Sequence, residues 1–306
     1  MARNLDLLTT AIAPAIWGST YIVTTHLLPQ GYPLHVALLR ALPAGLLLLL
    51  IVRQLPHGAW WPKVLILGAL NFSIFWWLLF VTAYRLPGGV AAPVTSIQTL
   101  MVIGLARLWL GAPIRPLAVV AAVAGIFGVA LIVLTPKAAL DPVGVVAGFA
   151  AALSMAAGTV LSRRWQPPVS PLTFSAWQLT AGGLLLLPAA LAFEPALPSL
   201  TGANIAGFLY LGLIGSALTY ILWFRGLARL APSVVSTLGL LSPVMAVLLG
   251  WLVAGETLTP IQVFGIVVVL VSVWLSQRAQ QAVPAAAKPS VEAPGKAPAL
   301  SGAQTR

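Results

Sequence analysis

The chain has 306 residues, 60% hydrophobic and 7% charged, with a mean hydropathy of +1.01, whereas an ordinary soluble domain is about half apolar and about a quarter charged. Five carboxylates, three histidines and no cysteine exclude disulfides and thiolate sites and leave little for acid–base or metal chemistry, so no enzyme and no cofactor is expected. The net charge of +11 is spread singly between apolar stretches rather than gathered in a patch, which points to membrane topology and away from nucleic acid.

A hydrocarbon core roughly 30 Å thick takes about 20 mostly apolar helical residues to cross. Apolar runs bounded by Pro, Gly or charge predict ten spans, at residues 7–28, 34–53, 63–84, 88–106, 116–134, 143–162, 171–193, 203–224, 231–253 and 260–277. The runs are too long and too uniformly apolar for barrel strands, so the expected fold class is all-α integral membrane. Loops this short leave no room for a separate soluble domain. After Leu28 comes Pro29-Gln30-Gly31-Tyr32-Pro33, a tight turn instead of a small-residue cleavage site, so the first run is expected to remain as a helix.

Residues 279–306 turn to Ala, Pro, Lys and Ser with no amphipathic period, which predicts a disordered basic tail. It is read either as a passive extension or as a segment drawn to an anionic leaflet. With the N-terminus inside, Arg3, Arg53, Lys63, Arg107, Arg115, Arg163, Arg164, Arg225, Arg229 and Arg278, with Lys288, Lys296 and Arg306 of the tail, fall on the inner side. Arg40, Arg85 and Lys137 fall on the outer side. Thirteen against three predicts that both termini are cytoplasmic.

Polar and aromatic groups at mid-depth are the candidates for function, because a polar group in hydrocarbon needs a cavity or a partner. In span 1, Trp17, Thr20, Tyr21 and Thr24 form one stripe, read as a substrate wall or as packing glued by hydroxyls. Span 3 carries Asn71, Ser73, Trp76, Trp77 and Tyr84. Adjacent Trp76 and Trp77 point about 100° apart, so one of them at most faces the interior, and Trp76 is the choice. The amide of Asn71 suits a carboxylate or an ammonium, or else an interhelical hydrogen bond. With Gln98 in span 4, Ser216 and Tyr220 in span 8 and Ser242 in span 9, the predicted substrate path comprises Trp17, Tyr21, Asn71, Trp76, Gln98, Ser216, Tyr220 and Ser242.

Other features read as architecture. Pro14, Pro43, Pro93, Pro188 and Pro243 kink spans or free carbonyls. Trp60, Trp61, Trp109, Trp165 and Trp223 lie at inner span ends and read as interfacial anchors. Gly144-x-x-x-Gly148 and Gly125-x-x-Gly128 permit close helix approach. His26 sits near the outer end of span 1.

The chain also repeats itself. A shift of 144 residues aligns Arg85-Leu86 with Arg229-Leu230, Met101 with Met245, Gly111 with Gly255 and Pro116 with Pro260. Near the start of each half the shift becomes 138 or 139, which lays Gly45 and its four leucines on Gly183 and its four leucines. Residues 1–137 and 138–278 thus each hold five predicted spans, and an odd number of crossings turns the second copy upside down. Inverted five-span repeats are a transporter architecture.

Trp17-Gly18-Ser19-Thr20, Arg40 in span 2, Leu241-Ser242-Pro243, and Gly255-Glu256-Thr257-Leu258-Thr259 leading to Gln262-Val263-Phe264-Gly265 resemble the EamA half-repeats of the drug/metabolite transporter superfamily. Within it the chain looks most like the YddG-type bacterial amino-acid exporters. The first half departs from the pattern, with Ala112 where the second half has Glu256, so a symmetric carboxylate pair is not available. The resemblance implies an inner-membrane exporter with a central cavity lined mainly by spans 1, 3, 4, 6, 8 and 9, and with spans 5 and 10 peripheral.

No Asp or Glu falls in the middle third of any predicted span, which argues against proton antiport and against bulky cations as substrates. A zwitterion needs no such carboxylate. The expected function is therefore export of amino acids, aromatic and other neutral, or of similar small zwitterions by alternating access across a bacterial inner membrane. Drug or cation efflux, a nucleotide-sugar-like carrier and, in another class, an intramembrane enzyme stay open. The expected partners are a small molecule and the lipid bilayer; a homo-oligomer is left open.

Overall fold

The computed structural model describes residues 2–85, 94–133, 141–255 and 257–281. Its helical segments are α1 (Ala2–Gly18, continued after Ser19 as Thr20–Leu27), α2 (Pro33–Val52), α3 (Trp60–Gly68, then Ala69–Ser73 and Ile74–Arg85), α4 (Gln98–Leu110) and α5 (Pro116–Val133). They are followed by α6 (Pro142–Arg164), α7 (Pro171–Phe193), α8 (Gly202–Leu209, then Tyr210–Leu218 and Thr219–Arg229), α9 (Pro232–Leu238 and Leu241–Ala254) and α10 (Pro260–Gln281). No strand occurs among the described residues. Among the described residues, eight stretches are long and apolar enough to cross a bilayer, and the apolar stretches Val94–Leu110 and Pro116–Ile132 are shorter. The chain is an all-helical, multi-pass membrane protein.

Local chemistry sets the helix ends. Proline opens α2, α5, α6, α7, α9 and α10, where its missing N–H removes a donor that would have no helical partner. Gly111 and Gly255 close α4 and α9 in the left-handed conformation, with φ of 66° and 70°. A side chain there would be strained. Pro14, Pro43 and Pro188 lie inside helices that run on through them. The discontinuities fall elsewhere: at Ser19, at Gly239–Leu240, and in π-helical turns at Ala69–Ser73 and Tyr210–Leu218.

Helix α2 packs along α7 and α5 along α10, while α1 lies against α8 and α9, and α3 and α4 lie against α6. The α2–α7 crossing is close on both sides. A methyl added at Gly45 would strike Thr180, and one added at Gly183 would come within 2.7 Å of the Leu42 Cα. Gly128 meets Val269 in the same way, and Gly148 meets Val94 and Thr82, so the small-residue motifs do serve approach within the chain.

The two ends of the bundle differ in charge. At one, Arg225 and Arg229 pair with Asp6, Arg163 donates to the Leu227 and Ala228 carbonyls ending α8, Arg3 and Arg115 donate to the Gln277 and Ala279 carbonyls ending α10, and Lys63 lies over Trp60 and Trp165. Cations suit helix C-termini, where unpaired carbonyls concentrate negative potential. At the other end, Glu194 accepts from the Leu34 and His35 N–H groups that start α2, and Asp141 caps α6 through the Gly144 N–H. That bond, helped by Arg85, holds the Asp141 carboxyl below its usual range.

Two expectations change. Arg40, assigned to the outer side, lies inside α2 and is buried. The last helix continues to Gln281 with Ala279 buried, so residues 279–281 belong to the helix and not to the predicted tail. Pro93, Lys137, Glu256 and residues 282–306 lie outside the described residues, as does the proposed start of span 4 at residue 88.

Candidate functional site

Where α1, α3 and α8 meet, aromatic rings form a continuous cluster. Trp17 of α1 stacks at 5.2 Å on Tyr220 and 5.0 Å on Trp223. Tyr220 reaches Phe72 at 4.6 Å and Trp76 at 6.4 Å, and Phe72 meets Trp76 edge-on at 5.3 Å. Tilted and edge-on contacts of this kind favour the ring quadrupoles and contribute about 0.5–1.5 kcal/mol each beyond area burial. The Trp17 indole N–H donates to the Thr219 hydroxyl at 3.0 Å, and Thr219 donates to the Gly215 carbonyl at 2.9 Å.

Beside the rings lies a buried cation. Arg40 donates from Nε to the Ser216 hydroxyl at 3.0 Å and from Nη2 to the Gly215 carbonyl at 3.1 Å, and its guanidinium carbon stands 4.7 Å from the Trp76 centroid. Both acceptors belong to the π-helical turn of α8. A wider turn offsets the carbonyl ladder and presents groups sideways, which is why such turns are often found at functional positions.

The candidates from the sequence divide accordingly. Trp76 and Ser216 meet Arg40, and Tyr220 and Trp17 follow in the ring cluster beside it. Trp76 points inward at 3% exposure while Trp77 faces out at 50%, as their angular separation requires. Asn71 is buried apart from the rings; its Nδ2 donates to Ser162 at 3.1 Å and to Gln178 at 2.7 Å, which fits the interhelical reading. Gln98 starts α4 and is half-buried, as is Ser242, whose carbonyl faces Gly18 of α1. The Tyr21 side chain lies outside the described residues.

Sequence reasoning missed Arg40, Phe72, Gln178 and Thr219, and it misplaced Trp223. Trp223 is buried on Trp17 rather than anchored at an interface, and its indole nitrogen has no hydrogen-bond partner among the described residues. Arg40 was legible as a charge inside span 2, the kind of residue that marks a functional position in a membrane; counting it only among the outer charges kept it off the predicted path. The π-helical turns carry no pattern in residue type that periodicity detects.

The three described carboxylates sit away from this centre, at helix ends. A cleft of about 310 Å³ opens beside one of them, lined by Arg3, Asp6 and Arg229 with Leu230, Ala231 and Val234.

Apolar helices packed around an interior cation, hydroxyls and aromatic faces define a polytopic membrane protein with a polar centre. The profile of the EamA-like transporter family matches residues 5–134 and 142–277. The chain belongs to that family, within the drug/metabolite transporter superfamily, and is a membrane transporter. It is 48% identical over 257 residues to Protein PecM of Dickeya dadantii (strain 3937), covering 83% of this chain and 86% of PecM. It is 30% identical over 267 residues to the inner membrane transporter YedA of Escherichia coli (strain K12), covering 85% and 86%. A solved crystal structure superposes with a TM-score of 0.80 at 18% identity, over 91% of this chain and 98% of that one, a likeness of fold alone.

Proposed function

We propose that the protein exports amino acids or similar small zwitterionic metabolites from the cytoplasm across a bacterial inner membrane. It does so by alternating access between two inverted five-helix repeats, residues 1–137 and 138–278 extended to the end of α10. The observation that carries this reading is the mid-depth centre where Arg40 and Trp76 of the first half meet Ser216 and Tyr220 of the second. A carboxylate suits the guanidinium, and an ammonium suits carbonyls and ring faces. Trp17, Tyr21, Gln98 and Ser242 extend the path, and Asn71 serves as an interhelical tie. A buried guanidinium disfavours bulky cations, so drug-like cation efflux ranks second.

The repeat is supported by contacts that come in exchanged pairs. In the 138-residue register Gly45 corresponds to Gly183 and Leu42 to Thr180; Gly45 packs on Thr180, and Gly183 packs on Leu42. Gly148 on Thr82 and Gly226 on Thr10 exchange likewise, Thr10 overlying Gly148 in the 138-residue register and Thr82 overlying Gly226 in the 144-residue register. The π-helical turn Ala69–Ser73, shifted by 144 residues, falls within Tyr210–Leu218. Two halves related in this way are suited to rock about a central site.

The test is counterflow into proteoliposomes with labelled amino acids, cations and sugars. Saturable uptake of neutral amino acids is expected. Uptake of cations or sugars in their place would support the alternatives, and formation of a product would indicate an enzyme.

A further inference from the structure

Two buried hydrogen-bonded ties each join a π-helical turn to a helix of the other half. In one, Arg40 of α2 donates to Ser216 and Gly215 in the turn of α8. In the other, Asn71 in the turn of α3 donates to the Gln178 side chain of α7. The 138-residue register that overlays Gly45 on Gly183 overlays Arg40 on Gln178, and the 144-residue register overlays Asn71 on Gly215. The ties therefore occupy equivalent places, and the four side chains are buried in both: Arg40 at 8% exposure, Gln178 at 0%, Asn71 at 1% and Ser216 at 0%.

The molecule thus contains its own comparison. A neutral amide is sufficient to hold a helix to a π-helical turn, as Gln178 does. A guanidinium in the equivalent place must be desolvated within the bilayer at a cost the amide does not incur. Holding the tie does not explain the charge. The surroundings do offer a use: an aromatic bay of Phe72, Trp76 and Tyr220 beside the cation, with the Trp223 N–H, unpartnered among the described residues, two rings away across Trp17.

We propose that Arg40 recognises a carboxylate on the transported molecule, and that the carrier selects small carboxylates with an apolar or aromatic body. The planar fork of a guanidinium matches a carboxylate in two parallel hydrogen bonds. In the arrangement seen here Ser216 and Gly215 take the donors that a carboxylate takes on loading. Substrate replaces the two Arg40 hydrogen bonds, loosens the packed contact of α2 with the α8 turn and leaves the Gln178–Asn71 tie closed, so binding itself favours movement of one half against the other. The proposal rests on the transport reading above, though not on the substrate having an amino group.

The experiment uses the full chain in proteoliposomes, with labelled phenylalanine counterflow competed by phenylalanine, phenylalaninamide or phenethylamine. The wild type should prefer the carboxylate over the amide by tenfold or more. Arg40→Gln, which copies the Gln178 half, should keep the thermal midpoint within a few degrees yet raise the KM for phenylalanine by tenfold or more, leaving competition by the amide unchanged. Arg40→Lys should restore part of the preference. A folded Arg40→Gln protein that still discriminates as the wild type does would overturn the proposal. Should Arg40→Gln fail to fold, tryptophan fluorescence titration of the wild type decides: equal affinity for phenylalanine and its amide overturns the assignment, and carboxylate preference supports it. If the wild type carries no amino acid, the amino-acid reading fails by itself, and the same comparison with phenylpropionate and its amide tests Arg40 independently.

Discussion

The indole N–H of Trp17 donates to the Thr219 hydroxyl at 3.0 Å, tying α1 to α8 immediately below the wide turn that holds Arg40. Trp17 belongs to the first half of the chain and Thr219 to the second, so the aromatic cluster spans the boundary across which the halves are proposed to move.

Replacing Trp76 or Tyr220 with Ala should lower the initial transport rate by about tenfold or more, compared at equal amounts of protein in the membrane. Trp109 packs in a separate cluster around Val102 and Val160, and its replacement should cost much less. Equal losses at all three positions would assign the rings to packing alone.

The helical class and the membrane were legible in the sequence because a bilayer imposes a length and a hydropathy that single residues cannot evade; most helix ends fell close to the predicted spans, while the start of α1 and the ends of α4, α8 and α10 reach beyond them. The site was legible in part. Trp76 and Tyr220 announced themselves as aromatics at mid-depth, and the angle between successive residues separated Trp76 from Trp77. Trp223 did not, because an indole near a helix end looks the same in sequence whether it meets lipid headgroups or folds back on Trp17. Phe72 was hidden among other apolar residues for the same reason: only the tertiary contact distinguishes it. Gln178 was within reach through the 138-residue register that places it on Arg40, but its role depends on the crossing of α7 over the turn in α3.

The crossing of α2 and α7 should tolerate no added carbon. Gly45→Ala and Gly183→Ala each place a Cβ against the backbone of the facing helix, and overpacking of this kind costs about 1–3 kcal/mol. Thermal unfolding of the detergent-purified protein should show a lowered midpoint for both. Gly104→Ala is the comparison, since nothing stands within 4 Å of that position, and its midpoint should not fall.

The gathering of basic residues at one end of the bundle predicts a cytoplasmic N-terminus. Because the chain has no cysteine, single cysteines report cleanly. His57→Cys, in the exposed loop between α2 and α3, should resist an impermeant thiol reagent in intact cells, and Ser199→Cys, exposed between α7 and α8, should react. The reverse pattern would invert the assigned orientation.

Transport should proceed without stoichiometric proton coupling. Asp6, Asp141 and Glu194 are engaged at helix ends, where no single one serves both sides of a mid-depth centre. A pH gradient imposed on proteoliposomes, with the voltage held at zero, should not drive a neutral zwitterion uphill. Accumulation that a protonophore abolishes would show that a titratable group takes part, and His26 would be the first residue to replace.

Alternating access makes one demand that neither a channel nor an enzyme makes, namely that substrate on the far side speeds the return of the loaded carrier. Proteoliposomes loaded with labelled phenylalanine should therefore release it faster when unlabelled phenylalanine is present outside, with an acceleration that saturates and disappears when Tyr220 is replaced by Ala. Release that rises linearly with internal concentration and ignores the external amino acid would contradict a carrier working through the Arg40–Trp76–Tyr220 centre.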